Sequence, residues 1–229
     1  MPSLGNPSLR TKTLLTIGFI AAIAFILSDQ DILALYWLRM VTKPIPVLLM
    51  AIYLLLLPGK GRFQWLIILG LIFGVLGDIL LEYSPTTFIF GLIAFLLGHI
   101  LYIIAFVLDC RRPGLGYAIF AYLYGVVLYS FLDIGDMGEM AFPVLLYVLV
   151  ITTMVWRAAA RYHAPDSNQD SAKAGFVGAL LFLASDSLLA ITLFIYHIPF
   201  AGVVVIIAYW LGQLGITMAA TWQHNRSQS

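Results

Sequence analysis

Eight apolar runs, each long enough to cross about 30 Å of hydrocarbon, dominate this chain of 229 residues. They lie at roughly 12–28, 42–57, 63–82, 86–108, 115–132, 139–160, 173–196 and 199–222. In lipid a backbone segment has no water to satisfy its polar groups, so such runs must be helices. The expected fold is all-α: one integral membrane domain over residues 1–229, a bundle of about eight transmembrane helices. Composition agrees, since 62% of residues are hydrophobic and only 10% charged, against about a quarter charged in soluble domains. The run from Thr13 to Leu27 has signal-peptide length, but it is followed by seven similar runs and is read as a helix of the mature protein. The second run opens with Lys43-Pro44-Ile45-Pro46, where proline suits a first helical turn, and is expected to start near Lys43.

Charge excludes some functions and orients the chain. A formal net charge of +1 without a basic run excludes nucleic acid as a partner. The single Cys110 and the absence of clustered Cys and His give no disulfide or metal site, and no cofactor is called for. No protein partner is indicated. Arg10, Lys12, Lys60, Arg62, Arg111, Arg112, Arg157, Arg161, Lys173 and Arg226 fall on one side of the eight-span arrangement. Asp29, Asp31, Glu82, Asp133, Asp136 and Glu139 fall on the other, with Arg39 and Lys43 as the basic residues there. Because cytoplasmic loops retain Lys and Arg, both termini are expected in the cytoplasm. Tyr36, Trp37, Trp65, Tyr83, Tyr117, Trp156, Tyr162 and Trp222 sit near the run ends as interfacial anchors.

The runs also repeat. Pro46-Val47-Leu48-Leu49 in the second matches Pro143-Val144-Leu145-Leu146 in the sixth. Gly77-Asp78-Ile79-Leu80-Leu81 in the third matches Ser185-Asp186-Ser187-Leu188-Leu189 in the seventh. Ala94-Phe95-Leu96-Leu97-Gly98-His99 in the fourth matches Ala208-Tyr209-Trp210-Leu211-Gly212-Gln213 in the eighth. Three matches in one order suggest two parallel four-helix units, about 12–110 and 115–222, with Asp78 opposite Asp186.

A charge at the centre of a membrane helix costs roughly 2.5–3.5 kcal/mol even on the milder insertion scale, which singles out Asp78 and Asp186. Asp186 lies near mid-helix, beyond snorkelling reach. Lys43, a cation at an expected helix start, opposes the helix dipole and calls for an anion nearby. Two readings stand for it: an ion pair with Asp78, or a substrate phosphate held together with the first-turn N–H groups. His99 and Tyr102, three residues apart, share one helix face, as do Tyr209 and Gln213, four apart. With Ser185 beside Asp186, these residues read as a polar stripe lining one cavity, because polar groups in lipid turn inward. Gly70, Gly74 and Gly77 suit close helix packing.

At these residues the chain resembles the YhhN family of eight-span membrane proteins. The resemblance runs from about Lys43 to about Ala220. It is carried by Lys43-Pro44, Gly77-Asp78, Gly98-His99-Ile100-Leu101-Tyr102, Gly178-Ala179-Leu180-Leu181-Phe182-Leu183-Ala184-Ser185-Asp186 and Tyr209-Trp210-Leu211-Gly212-Gln213, in family order. It implies a lipid hydrolase of the lysoplasmalogenase kind, which cleaves the vinyl ether of a lysophospholipid within the membrane to a fatty aldehyde and a glycerophospho-alcohol. It also points to the bacterial inner membrane.

Enol ethers resist base and yield to acid, so that chemistry needs a protonated group at neutral pH. Burial disfavours a charged carboxylate, and a second carboxylate drives the two apart. Asp186 is then the general acid, and Asp78, nearer Lys43, is the ionised group that steadies the cation and orients water; the reverse assignment also stands. His99, Tyr102, Ser185, Tyr209 and Gln213 would hold water and glycerol oxygens, and Lys43 the phosphate. The rival is a proton- or solute-coupled transporter, which intramembrane carboxylates and parallel repeats also suit.

Overall fold

The computed structural model describes residues 9–29 and 36–228. Of the residues carrying the orientation reading, Asp31 lies outside the described residues, as do the side chains of Arg10, Asp29 and Arg226. The regular elements described are helices: α1 (Leu9–Asp29), α2 (Tyr36–Thr42), α3 (Ile45–Leu55), α4 (Arg62–Tyr83), α5 (Phe88–Asp109), α6 (Leu115–Asp133), α7 (Ala141–Tyr162), α8 (Gln169–Phe194) and α9 (Ala201–Gln228), with 3-10 turns at Pro85–Thr87 and Gly138–Met140. Among the described residues seven stretches are long and apolar enough to cross a membrane, with α2 and α3 together forming the first. The expected count of eight needs α1, whose apolar part, Lys12–Ser28, is shorter. The protein is an integral, multi-pass helical membrane protein.

The second span departs from expectation in a way that moves Lys43. It begins at Tyr36, not near Lys43, and is interrupted at Lys43-Pro44 before α3 resumes at Ile45. Pro44 and Pro46 have no N–H to give to the preceding turn, so the helix breaks there. The chain still bonds across the break, from Lys43 N to the Arg39 carbonyl at 3.0 Å and from Leu48 N to the Pro44 carbonyl at 2.9 Å. Lys43 therefore sits at a kink about a third of the way along a span, not at a free helix start.

Two helix pairs are packed tightest, and glycine permits both. A methyl group on Gly98 of α5 would stand 3.0 Å from the Gly70 carbonyl oxygen of α4. One on Gly178 of α8 would stand 2.7 Å from the Gly212 carbonyl oxygen of α9. Small residues let membrane helices approach to van der Waals contact of their backbones. The contacts run in parallel through the chain. In the first half α1 packs on α3, α3 on α4 and α4 on α5; in the second α6 packs on α7, α7 on α8 and α8 on α9. Between the halves α3 meets α9, α4 meets α9, α5 meets α7, and α5 meets α8 through side chains such as His99 and Phe182. In the register that aligns Asp78 with Asp186, Gly70 and Gly98 correspond to Gly178 and Gly212.

At the basic end of the bundle Arg161 is fully buried. Its Nε pairs with Asp109 Oδ2 at 2.5 Å, its Nη2 donates to Ser171 Oγ at 2.6 Å, and its guanidinium lies 4.9 Å from the Phe63 ring. This arginine therefore draws α4, α5, α7 and α8 together at that end.

Candidate active site

Asp78 lies five residues before the end of α4 and Asp186 eight before the end of α8, placing them about 8 Å and about 12 Å inside the acidic end at 1.5 Å per residue. Each carboxyl has a tyrosine. Tyr209 of α9 donates its hydroxyl to Asp78 Oδ2 at 2.8 Å, and Tyr147 of α7 donates to Asp186 Oδ2 at 2.5 Å. All four side chains line one cavity, with Lys43 on its wall and apolar surroundings such as Leu81, Phe95, Ile151 and Leu183. Lys43, Glu82 and Asp186 are all within electrostatic reach of Asp78. Asp186 is deeper along its helix, but Asp78 is the more enclosed, at 1% exposure, while Asp186 is half-buried and open to the cavity.

The anion beside Lys43 is Glu82. Its carboxylate takes Lys43 Nζ at 3.1 Å on one oxygen and Arg39 Nε at 2.8 Å on the other. Tyr36 donates its hydroxyl to the Glu82 and Tyr83 carbonyls, which ties α2 to the end of α4. The expected direct pair with Asp78 is thus replaced by a triad, because Glu82 lies one helical turn beyond Asp78 on the same face. Two cations and one carboxylate leave the triad itself with one net positive charge, which a charged Asp78 would balance.

The other expected residues divide. Tyr102 donates to Gln213 Oε1 at 2.8 Å. Gln213 Nε2 and the Tyr209 hydroxyl converge on Gly74, where a methyl group would stand 2.9 Å from the first and 3.4 Å from the second. A polar chain thus runs inward from Asp78 through Tyr209 and Gln213 to Tyr102. Gly70, Gly74 and Gly77 are packing residues as expected, and what they make room for is the site itself: the Tyr102 ring, Gln213 and the Phe95 ring. His99 is 1% exposed, with both ring nitrogens lacking a hydrogen-bond partner. Its ring lies edge-on to Phe182 at 4.4 Å and to Tyr147 at 5.4 Å. Ser185 is not brought to the cavity; its hydroxyl donates to the Val205 carbonyl of α9 at 2.8 Å. Among the described residues no three His, Cys, Asp or Glu side chains converge as metal ligands.

Sequence reasoning missed Tyr147 and the part played by Glu82. The spacing of Glu82 from Asp78 was a usable signal, whereas Tyr147 is one of 12 tyrosines and carries no mark of its own.

Fold and site together define a polytopic helical membrane protein with a buried two-carboxyl centre suited to moving protons in an apolar cavity. The chain belongs to the YhhN family, whose pattern matches residues 38–220. It is 33% identical over 184 residues to lysoplasmalogenase TMEM86B of Rattus norvegicus, covering 80% of this chain and 73% of that protein. To lysoplasmalogenase TMEM86B of Homo sapiens it is 33% identical over 81% of this chain and 76% of the relative. To lysoplasmalogenase TMEM86A of Homo sapiens the figures are 29%, 80% and 78%. No solved structure matches the chain.

Proposed function

We propose that this chain is a lysoplasmalogenase, hydrolysing the vinyl ether of a lysophospholipid to a fatty aldehyde and a glycerophospho-alcohol, with Asp186 and Asp78 as its acid and base. The observation that carries the mechanism is that both aspartates, each held by its own tyrosine, line one apolar cavity. Lipid as the substrate class follows from the named relatives and suits those walls.

The roles follow from charge. We assign the negative charge to Asp78, the carboxyl within reach of the Lys43 ammonium. No described cation pairs with Asp186, and it carries the proton. A neutral carboxyl keeps one oxygen to accept from Tyr147 and turns its O–H to the cavity. Asp186 gives that proton to the vinylic carbon remote from the ether oxygen, and the carbon bonded to oxygen becomes an oxocarbenium ion. The Asp78 carboxylate steadies the cation and takes a proton from the water that adds to it. The hemiacetal then breaks its C–O bond to the glycerol. Asp78 returns its proton to the departing alcohol oxygen, and the hemiacetal hydroxyl proton goes to Asp186. One water is consumed and both carboxyls are restored. Lys43, the cation on the cavity wall, meets the phosphate, with the headgroup at the acidic end.

By the distribution of basic residues we place the protein in an inner membrane with both termini cytoplasmic. Purified protein incubated with a lysoplasmalogen should release fatty aldehyde, read by mass spectrometry, without any membrane gradient. Asp78→Asn and Asp186→Asn should each lose about 10²- to 10⁴-fold in turnover while eluting as folded protein. The double variant should fall little below the worse single one, as expected of residues acting as a unit. Near wild-type turnover in either single variant refutes the paired-acid mechanism.

A further inference from the structure

The site cavity has a neighbour. A second, almost wholly apolar crevice lies between α6, α7 and α8 toward the basic end, walled by Phe120, Val155, Trp156, Phe176 and Leu180. Leu183 lines both spaces. A single hydrogen bond spans the join: Tyr124, on the crevice wall, donates to Ser187, on the cavity wall, at 2.9 Å. From Asp186 to Phe176 is ten residues of α8, about 15 Å, a length equal to half the roughly 30 Å hydrocarbon thickness and starting about 12 Å inside the acidic end.

The substrate's polarity gives this crevice a direction. With the phosphate at Lys43, as proposed above, the hydrocarbon chain on the other side of the vinyl ether runs toward the basic end. Directly beneath the aspartates the core is solid: Tyr102, Met154 and Phe182 are at most 1% exposed. The nearest other space is sideways across Leu183, the wall the two share, and there the lining is apolar and Leu180 is 41% exposed.

We propose that the crevice between α6 and α8 is the binding site for the hydrocarbon chain of the lysoplasmalogen, entered past Leu183 beneath the Tyr124–Ser187 hydrogen bond. This rests on the hydrolase reading above and adds to it a basis for chain-length selection. A chain that reaches the crevice gains contacts that a shorter one does not.

Ala184 lines the crevice and makes none of the contacts of the polar site, so Ala184→Trp fills the crevice and leaves the acids alone. On a series of lysoplasmalogens differing only in chain length, Ala184→Trp should lower kcat/KM for long chains by roughly tenfold or more, the discrimination a few methylenes give in an apolar pocket. The shortest chains, ending at the vinyl ether, should be unaffected. Equal loss at all lengths, or none at any, overturns the proposal.

Ala184→Cys gives a reading that needs neither the bulky variant nor turnover. The native Cys110 is buried, so a membrane-permeant thiol reagent reports on position 184. A non-hydrolysable long-chain ether lysophospholipid should slow labelling several-fold, and a short-chain analogue with the same headgroup should not. Indifference to chain length overturns the crevice. Protection without any hydrolysis by the wild-type protein would instead overturn the hydrolase reading and leave the crevice standing.

Discussion

Replacing Tyr147 by phenylalanine removes one hydroxyl and nothing else from the neighbourhood of Asp186. The ring keeps its place against His99, whose centroid is 5.4 Å away. What is lost is the hydrogen bond to Asp186 Oδ2, at 2.5 Å the shorter of the two tyrosine–aspartate bonds. Hydrogen bonds to charged groups contribute about 1.5–3 kcal/mol, and Asp186 becomes charged as it gives up its proton, so at 1.4 kcal/mol per decade the effect is roughly 10- to 150-fold. In the mechanism this bond both orients the acid and stabilises the carboxylate left after proton transfer, so the loss should fall on kcat. KM should change little, because neither the charged triad nor the crevice is touched. The assay is aldehyde formation by purified protein in detergent across a substrate range, with thermal unfolding alongside. An unchanged kcat, or a loss confined to KM, would refute the role given to Tyr147 and return Asp186 to a structural position.

Two further expectations are separate from the acids. Lys43→Met, the residue aligned in the second unit, should weaken a phosphorylated substrate more than a headgroup-free vinyl ether, measured as the ratio of their KM values; equal losses would make the Lys43–Glu82 contact purely structural. Reporters fused at Arg62, Arg112 and Ser229 should all signal cytoplasm, and a periplasmic signal at Ser229 would overturn the orientation.

The helices and aspartates were legible because hydrocarbon leaves few choices: long apolar runs must be helical, and a carboxyl inside one is costly enough to need a reason. The errors have equally physical causes. Adjacency groups Ser185 with Asp186, but successive residues of a helix with 3.6 per turn point about 100° apart. Asp186 therefore turns to α7 while Ser185 turns to α9. Proline's preference for first turns points to a helix start at Lys43, but proline also breaks helices from within, and seven helical residues before the break decide which rule applies. Arg161, counted as a loop charge for orientation, is buried against Asp109 and Phe63. Nothing local marks it, since Asp109 and Phe63 come from α5 and α4, far away in sequence.

The glycine contacts of α4–α5 and α8–α9 match while the chemistry around the two aspartates differs, and the difference has a direction. We propose that an internal duplication underlies the matched glycine contacts of α4–α5 and α8–α9, with one aspartate carried by each pair. The groups that act on those aspartates are unmatched. Tyr209 aligns with Phe95, Tyr147 with Met50 and Lys43 with Met140. A strictly symmetric site would hold two equivalent carboxyls, and acid/base hydrolysis needs unequal ones, one charged and one carrying a proton. Placing a cation beside one aspartate only, and drawing the two tyrosines from non-equivalent helices, breaks that equivalence without disturbing the backbone contacts that position both. The matched glycines thus serve the geometry of the centre, and the mismatches assign its roles.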